Sequence, residues 1–132
     1  MYKHNLKVYG DYLAKEQALP QNTSANGNGN EVRLGGTMGG IEIVLECIAL
    51  ITLADTKVLT IKLRDSADGT TYADLETVYT VTASGETTVA AGTIMARFIL
   101  PTDCNDYIMA TLTSTDAALT GSVSIYPTYL PR

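Results

Sequence analysis

Residues 59–78, LTIKLRDSADGTTYADLETV, carry two runs of alternating apolar and polar side chains on either side of a turn cluster. Leu59, Ile61 and Leu63 alternate with Thr60, Lys62 and Arg64, the period of two that sends successive side chains to opposite faces of a sheet. Asp68-Gly69 supplies a residue tolerant of left-handed geometry followed by one with no Cβ to clash there, a strong hairpin signal. A chain that contains this stretch is constrained to a β-hairpin at its centre.

The loop length follows from the faces. A two-residue loop at Asp68-Gly69 sets Leu63 opposite Asp74 and Ile61 opposite Glu76, burying carboxylates against the core. A loop with an odd number of residues instead places Ile61 and Leu63 with Ala73 and Leu75, and Lys62 and Arg64 with Asp74 and Glu76. Each cross-strand ion pair contributes only about 0.2–1 kcal/mol, so the apolar set fixes the register.

The strongest strand signal is the run of residues 41–53. Ile43, Leu45, Cys47, Ala49, Ile51 and Leu53 share one face and Glu42 and Glu46 mark the other. Val44, Ile48 and Leu50 make that second face partly apolar, so it is expected to contact another sheet, an arm or a second subunit. Further short strands are expected at residues 31–34, 78–81, 93–100, 106–113 and 121–126, with turns at Ser84-Gly85-Glu86 and at residues 114–118. With abundant Thr, Val and Ile, 11 Gly and 45% hydrophobic residues, the chain is all-β. About eight antiparallel strands with turns every few residues predict a jelly roll or β-sandwich over residues 31–132. At 132 residues a single domain buries enough surface to need neither metal nor disulfide.

Residues 1–30 read differently. Leu6, Val8, Leu13 and Leu19 are irregularly spaced, Pro20 breaks the chain, and QNTSANGNGN is loop-like. The expectation is an N-terminal arm, extended or with about two turns of helix over residues 11–19, followed by a linker. Such an arm is marginal unless it docks, so Leu6, Val8, Leu13 and Leu19 are its candidate partner-binding residues.

Several function classes lose ground. A net charge of −5 without a Lys/Arg cluster argues against a nucleic-acid partner, which is held by neutralising many phosphates. No apolar segment is long enough to span a bilayer as a helix, and residues 1–4 open no signal-like region. His4 is the sole histidine, so neither a Ser-His-Asp site nor a histidine-rich metal site can be assembled. Counting Gly69 as the sixth position of a calcium loop puts Arg64 at the first ligand position and Leu75 where the bidentate Glu belongs, and that reading fails. Residues 66–72 resemble a single Asp-box turn, here a hairpin cap, and Gly27 and Gly29 belong to no nucleotide fingerprint. Asn22-Thr23-Ser24 matches a glycosylation pattern without an export signal beside it. Asp103 and Asp106 read as solvated loop carboxylates, and Cys47 and Cys104 as free thiols. Neither catalysis nor a cofactor is expected.

Three stretches resemble the jelly-roll capsid cement, or decoration, proteins of tailed bacteriophages of the Bordetella-phage type. They are Asp11…Leu13-Ala14…Gln17-Ala18-Leu19 with Thr23-Ser24 and Val32-Arg33-Leu34-Gly35; Leu63-Arg64-Asp65-Ser66-Ala67-Asp68-Gly69; and Ala96-Arg97-Phe98-Ile99-Leu100-Pro101 leading into Tyr107-Ile108. Where that family has an arginine soon after the tyrosine, this chain has Met109. The resemblance implies a homo-oligomer, dimer or trimer, that is made in the host cytoplasm and binds the major capsid protein on the capsid exterior, stiffening the shell across capsomers. Val44, Ile48 and Leu50 are the candidate oligomer face. The rival expectations are a glycan-binding module of a phage fibre or cell surface, which needs a platform of surface aromatics, and an enzyme built on Asp103, Asp106 or Asp116, which needs an acidic cleft.

Overall fold

A computed structural model describes residues 12–29, 41–100 and 107–128, and the backbone alone of residues 6, 7, 32, 33 and 129. Among them the regular structure is entirely strand: β1 (Leu6–Lys7), β2 (Ala14–Ala18), β3 (Ser24–Asn26), β4 (Val32–Arg33), β5 (Ile41–Leu53), β6 (Val58–Ser66), β7 (Ala73–Thr82), β8 (Thr87–Val89), β9 (Ile94–Ile99), β10 (Tyr107–Ser114) and β11 (Thr120–Tyr129). Three pairs act as single interrupted strands. β1 and β2 follow one another along β11, β3 and β4 along β10, and β8 and β9 along β5.

The result is two antiparallel sheets of four ribbons, in the orders (β1, β2)–β11–β5–(β9, β8) and (β3, β4)–β10–β6–β7. Every sheet neighbour but β6–β7 is distant in sequence, and from one ribbon to the next the chain changes sheet at every step except that from β6 to β7. This is the eight-stranded jelly roll, two interlocked Greek keys folded face to face. The core lies between the sheets. Ile43, Leu45 and Cys47 of β5 and Val123 and Ile125 of β11 face Ile61 and Leu63 of β6 and Ile108 and Leu112 of β10, all at 2% exposure or less.

The central hairpin forms as its alternation dictates. Asp65 pairs with Ala73 and Arg64 with Asp74, which encloses residues 66–72, an odd loop, and Gly69 sits at φ 81°. Ser66 Oγ accepts the Asp68 and Gly69 N–H groups, and Asp68 Oδ1 accepts those of Thr70 and Thr71. These donations hold the Asp68 carboxyl well below the usual range. Lys62 Nζ and Arg64 Nε both reach the Asp74 carboxylate, at 3.4 and 3.5 Å. Beyond the turn, bulges between Ile61 and Lys62 and between Leu63 and Arg64 shift the register, so that Leu63 lies opposite Glu76 after all while staying fully buried. The bulge supplies Leu75 to the core side in place of its neighbour.

Strand β5 spans the expected residues 41–53, but its inward face is not the uninterrupted series predicted. Ala49 is exposed, whereas Cys47 and Ile51 are buried. Bulges where β11 pairs with β5 at Ser122 add residues to the pairing, and the alternation loses phase between Cys47 and Ile51.

The N-terminal expectation needs correction. Residues 14–18 are strand β2 rather than helix, and Leu13 and Leu19, at 0% and 5% exposure, lie in the chain's own core instead of awaiting a partner. Leu13 N–H donates to the Ile125 carbonyl and Leu19 N–H to that of Gly121. Glu16, at φ 47°, departs from strand geometry opposite an irregularity of β11, and its N–H is taken by Ser124 Oγ at 2.8 Å. The irregular spacing of apolar residues follows from this kinked edge strand. The polar stretch after it is equally built in: Ser24–Asn26 is β3, and a Cβ on Gly27 or Gly29 would overlap the carbonyl oxygens of Leu13 and Tyr12. Residues 12–29 are therefore part of the sandwich; Val8 and most of residues 1–11 lie outside the described residues.

At one end of the sandwich the connecting loops are tied together through Asp116. Its carboxylate accepts the N–H groups of Ala54 and Ala118 at 2.9 and 2.8 Å, and its carbonyl accepts that of Asn22 at 3.1 Å. Asp55 Oδ1 in turn accepts the Gly85 N–H at 2.7 Å. Backbone donors aimed at Asp116 hold its carboxyl below the usual range, those of Ala54 and Ala118 foremost. Asp116, a candidate of the rival enzyme reading, is thus a buried joint of the loops.

Candidate interaction surface

The outer face of the sheet built on β5 and β11 is where the sequence places its unexplained apolar residues. Antiparallel register lines up Thr128, Glu42 and Ile99 in one row, Tyr126, Val44 and Arg97 in the next, and Ser124, Glu46 and Ile94 in a third. The face divides into two halves.

The half over β11 is closed. Val44 is 1% exposed and lies with Tyr12 and Tyr126, whose ring centroids are 5.2 Å apart at 30°, an offset aromatic pair. Tyr126 donates its hydroxyl proton to Glu46 Oε1 at 2.9 Å. Burial, reinforced by the adjacent carboxylate, pushes that phenol above its ordinary range. The Lys15 ammonium stands 6.0 Å from the Tyr12 ring centroid, at the outer limit of a cation–π contact. Val44, expected on an oligomer face, is thus covered by two tyrosines of its own chain.

The half over β9 and the bulged part of β5 is open. Leu50 and Ile99 are each 56% exposed, Ile94 is 39% exposed, and Ile48 is half-buried. Between them Arg97 reaches across to Glu42, Nη1 to Oε1 at 2.8 Å, with Glu42 only 14% exposed and Arg97 48%. Apolar side chains with one organised ion pair in their midst make a surface able to exclude water and to orient a partner by charge.

Of the sequence-derived partner residues, then, Leu50 is on the surface, Ile48 is half on it, and Val44, Leu13 and Leu19 are not. Leu6 contributes backbone to β1, paired with Tyr129, and Val8 is outside the described residues. Ile94 and Ile99 were not foreseen. Arg97 carried the signal for Ile99, since residues two apart on a strand share a face and Arg97 marks the solvent side.

Among the described residues no cluster of His, Cys, Asp and Glu is close enough to hold a metal, and no pocket opens. Cys47 is buried, its Sγ directed at the carbonyls of Ala49 and Val89 at 3.1 and 3.6 Å, and burial raises its thiol pKa. Cys104, Asp103 and Asp106 lie outside the described residues. The fold class defined here is a jelly-roll β-sandwich with one half-open outer face. The chain matches no protein-family model and no curated protein sequence.

Proposed function

We propose that this chain is a capsid cement protein, which attaches as a homo-oligomer to the outer surface of a phage icosahedral shell and bridges neighbouring capsomers. The observation that carries the reading is the open half-face, where Ile99 stands more than half exposed beside the Arg97–Glu42 pair and Leu50, equally exposed, lies further along β5. A lone subunit gains nothing from holding such residues in water, whereas a partner that covers them gains about 25 cal/mol per Å² of apolar surface removed. Its partners are the major capsid protein and further copies of itself. The jelly-roll order and the resemblance in residues 63–69 and 96–101 support the same reading, and catalysis has no part in it. Multivalent attachment to a lattice lets individually weak contacts of this kind sum to firm retention.

The glycan-binding alternative calls for open aromatic rings. The paired rings of Tyr12 and Tyr126 are only 8% and 3% exposed, which leaves little area on which a sugar can stack.

The test is to mix purified protein with expanded phage shells that lack a decoration protein, sediment them, and follow shell melting by calorimetry. The expected result is co-sedimentation and a higher shell melting temperature, both lost in a Leu50→Asp/Ile99→Asp double variant whose own melting is unchanged. Protein left wholly in the supernatant at saturating concentration refutes the proposal, and retention of the double variant moves the docking surface elsewhere.

A further inference from the structure

The stretch ANGNGN contains two Asn-Gly pairs, Asn26-Gly27 and Asn28-Gly29. In Asn-Gly the following residue has no side chain to shield its amide nitrogen, which makes the pair a labile site for deamidation in a free chain. The fold engages this stretch with unusual completeness. The Asn28 carboxamide behaves as a strand residue toward β2: Oδ1 accepts the Lys15 N–H at 2.8 Å and Nδ2 donates to the Lys15 carbonyl at 3.0 Å. Gln17 closes the arrangement from the other side, its Oε1 accepting the Asn28 N–H at 2.7 Å and its Nε2 donating to the Asn26 carbonyl at 3.0 Å. The two glycine nitrogens are occupied as well, Gly29 donating to Leu13 O at 3.0 Å and Gly27 to Ala110 O at 2.9 Å.

We propose that Asn28 is a deamidation site which the folded clasp protects and whose conversion unlatches β2 from the segment following β3. The reaction needs the deprotonated Gly29 nitrogen to attack Asn28 Cγ. A C–N bond forms, the Cγ–Nδ2 bond breaks, and ammonia leaves with the displaced proton; water then opens the succinimide at either carbonyl, giving aspartate or isoaspartate. In the fold both reactants are committed, the nitrogen to Leu13 O and the carboxamide to Lys15, so attack waits for the clasp to open. The change is then one-way. An aspartate at this position has no Nδ2 proton for the Lys15 carbonyl and confronts it with a charged oxygen, while isoaspartate adds a methylene to the backbone and displaces Gly29 from Leu13. Gly27 and Gly29 leave no room for a Cβ against Leu13 and Tyr12, so the segment packs there backbone to backbone.

The experiment incubates the full chain at mildly alkaline pH, folded and in denaturant, and follows the mass gain at Asn28 by peptide mass spectrometry, with Asn22 as the internal reference. Deamidation at Asn28 is expected to be about tenfold or more slower in the folded protein than in the denatured chain. A Gln17→Ala variant, which removes two clasp bonds without touching the core, should recover a measurable part of the denatured rate. Equal rates in folded and denatured chains overturn the protection. For the second half, amide hydrogen exchange at Lys15 is compared between the parent and Asn28→Asp, or the deamidated fraction isolated from aged parent protein should that variant not fold. Exchange faster by a similar factor supports the unlatching, and unchanged exchange overturns it.

Discussion

Replacing Leu13 by alanine separates an N-terminal arm from an N-terminal strand. Leu13 is 0% exposed and belongs to the main core together with residues of β5, β6, β10 and β11. Removing its isobutyl group forfeits the transfer free energy of the lost atoms and leaves a cavity walled by both sheets, for which buried Leu→Ala changes cost about 2–5 kcal/mol. Unfolding entropy of about 2.1 cal/mol/K per residue, taken over this chain, amounts to about 0.28 kcal/mol/K. A loss of about 3 kcal/mol therefore lowers the melting temperature by about 11 °C. The assay is thermal and urea unfolding followed by circular dichroism, with an unchanged urea slope showing that the native and denatured states keep their extent. Leu50→Ala is the control: at 56% exposure it should move stability by no more than about 0.5 kcal/mol. A Leu13→Ala protein that melts within about 2 °C of the parent refutes the placement of β2 in the cooperative core and restores the mobile arm.

Gly69→Val forces a β-branched side chain into φ 81° and should cost at least about 1–2 kcal/mol, a fall of about 4–7 °C in melting temperature; an unchanged midpoint contradicts the turn geometry. Asp116 contributes stability because its folded pKa lies below its unfolded value, so the contribution is complete above the ordinary carboxylate range and disappears as pH falls through the lowered value. An Asp116→Asn variant should accordingly be less stable than the parent at neutral pH, with the difference closing in acid below about pH 4; a difference that is constant with pH refutes the role assigned to the charge. In a Cys104→Ser background, the buried and poorly acidic Cys47 should react with iodoacetamide only as fast as the protein unfolds, and rapid labelling of the native state disproves its burial.

The parts of this fold that sequence reveals are those in which each residue's surroundings depend on its immediate neighbours. The odd loop of the hairpin and the inward Ile61 and Leu63 followed from alternation alone, as did the bounds of β5. Strand β2 has no such pattern. In AKEQA only Ala14 is buried, and what makes the segment a strand is pairing with β11 and the carboxamides of Asn28 and Gln17. The outer surface was legible at Leu50 and illegible at Val44, because the side chains that cover Val44 come from Tyr126 on the neighbouring strand and from Tyr12 just ahead of β2. Ala49 departs from the expected face because β5 carries extra residues on either side of it, and such bulges are defined only by the register against β11.

Strand β11 lies between β5 and the ribbon formed by β1 and β2, so both of its edges are occupied by segments made long before it. The hydrogen bond from Glu16 to Ser124 closes a loop of 108 residues. A nascent chain can form the β6–β7 hairpin early, but the sheet that buries Leu13 cannot close until Thr120–Tyr129 has cleared the ribosome. Until then β2 and β5 face an empty slot one strand wide. Closing so distant a pairing is slow, of order milliseconds to seconds in folds of this type. During that interval the unfilled slot is open to the β11 of another chain, and dilution or a chaperone that shields strand edges should raise the yield of correctly closed subunits.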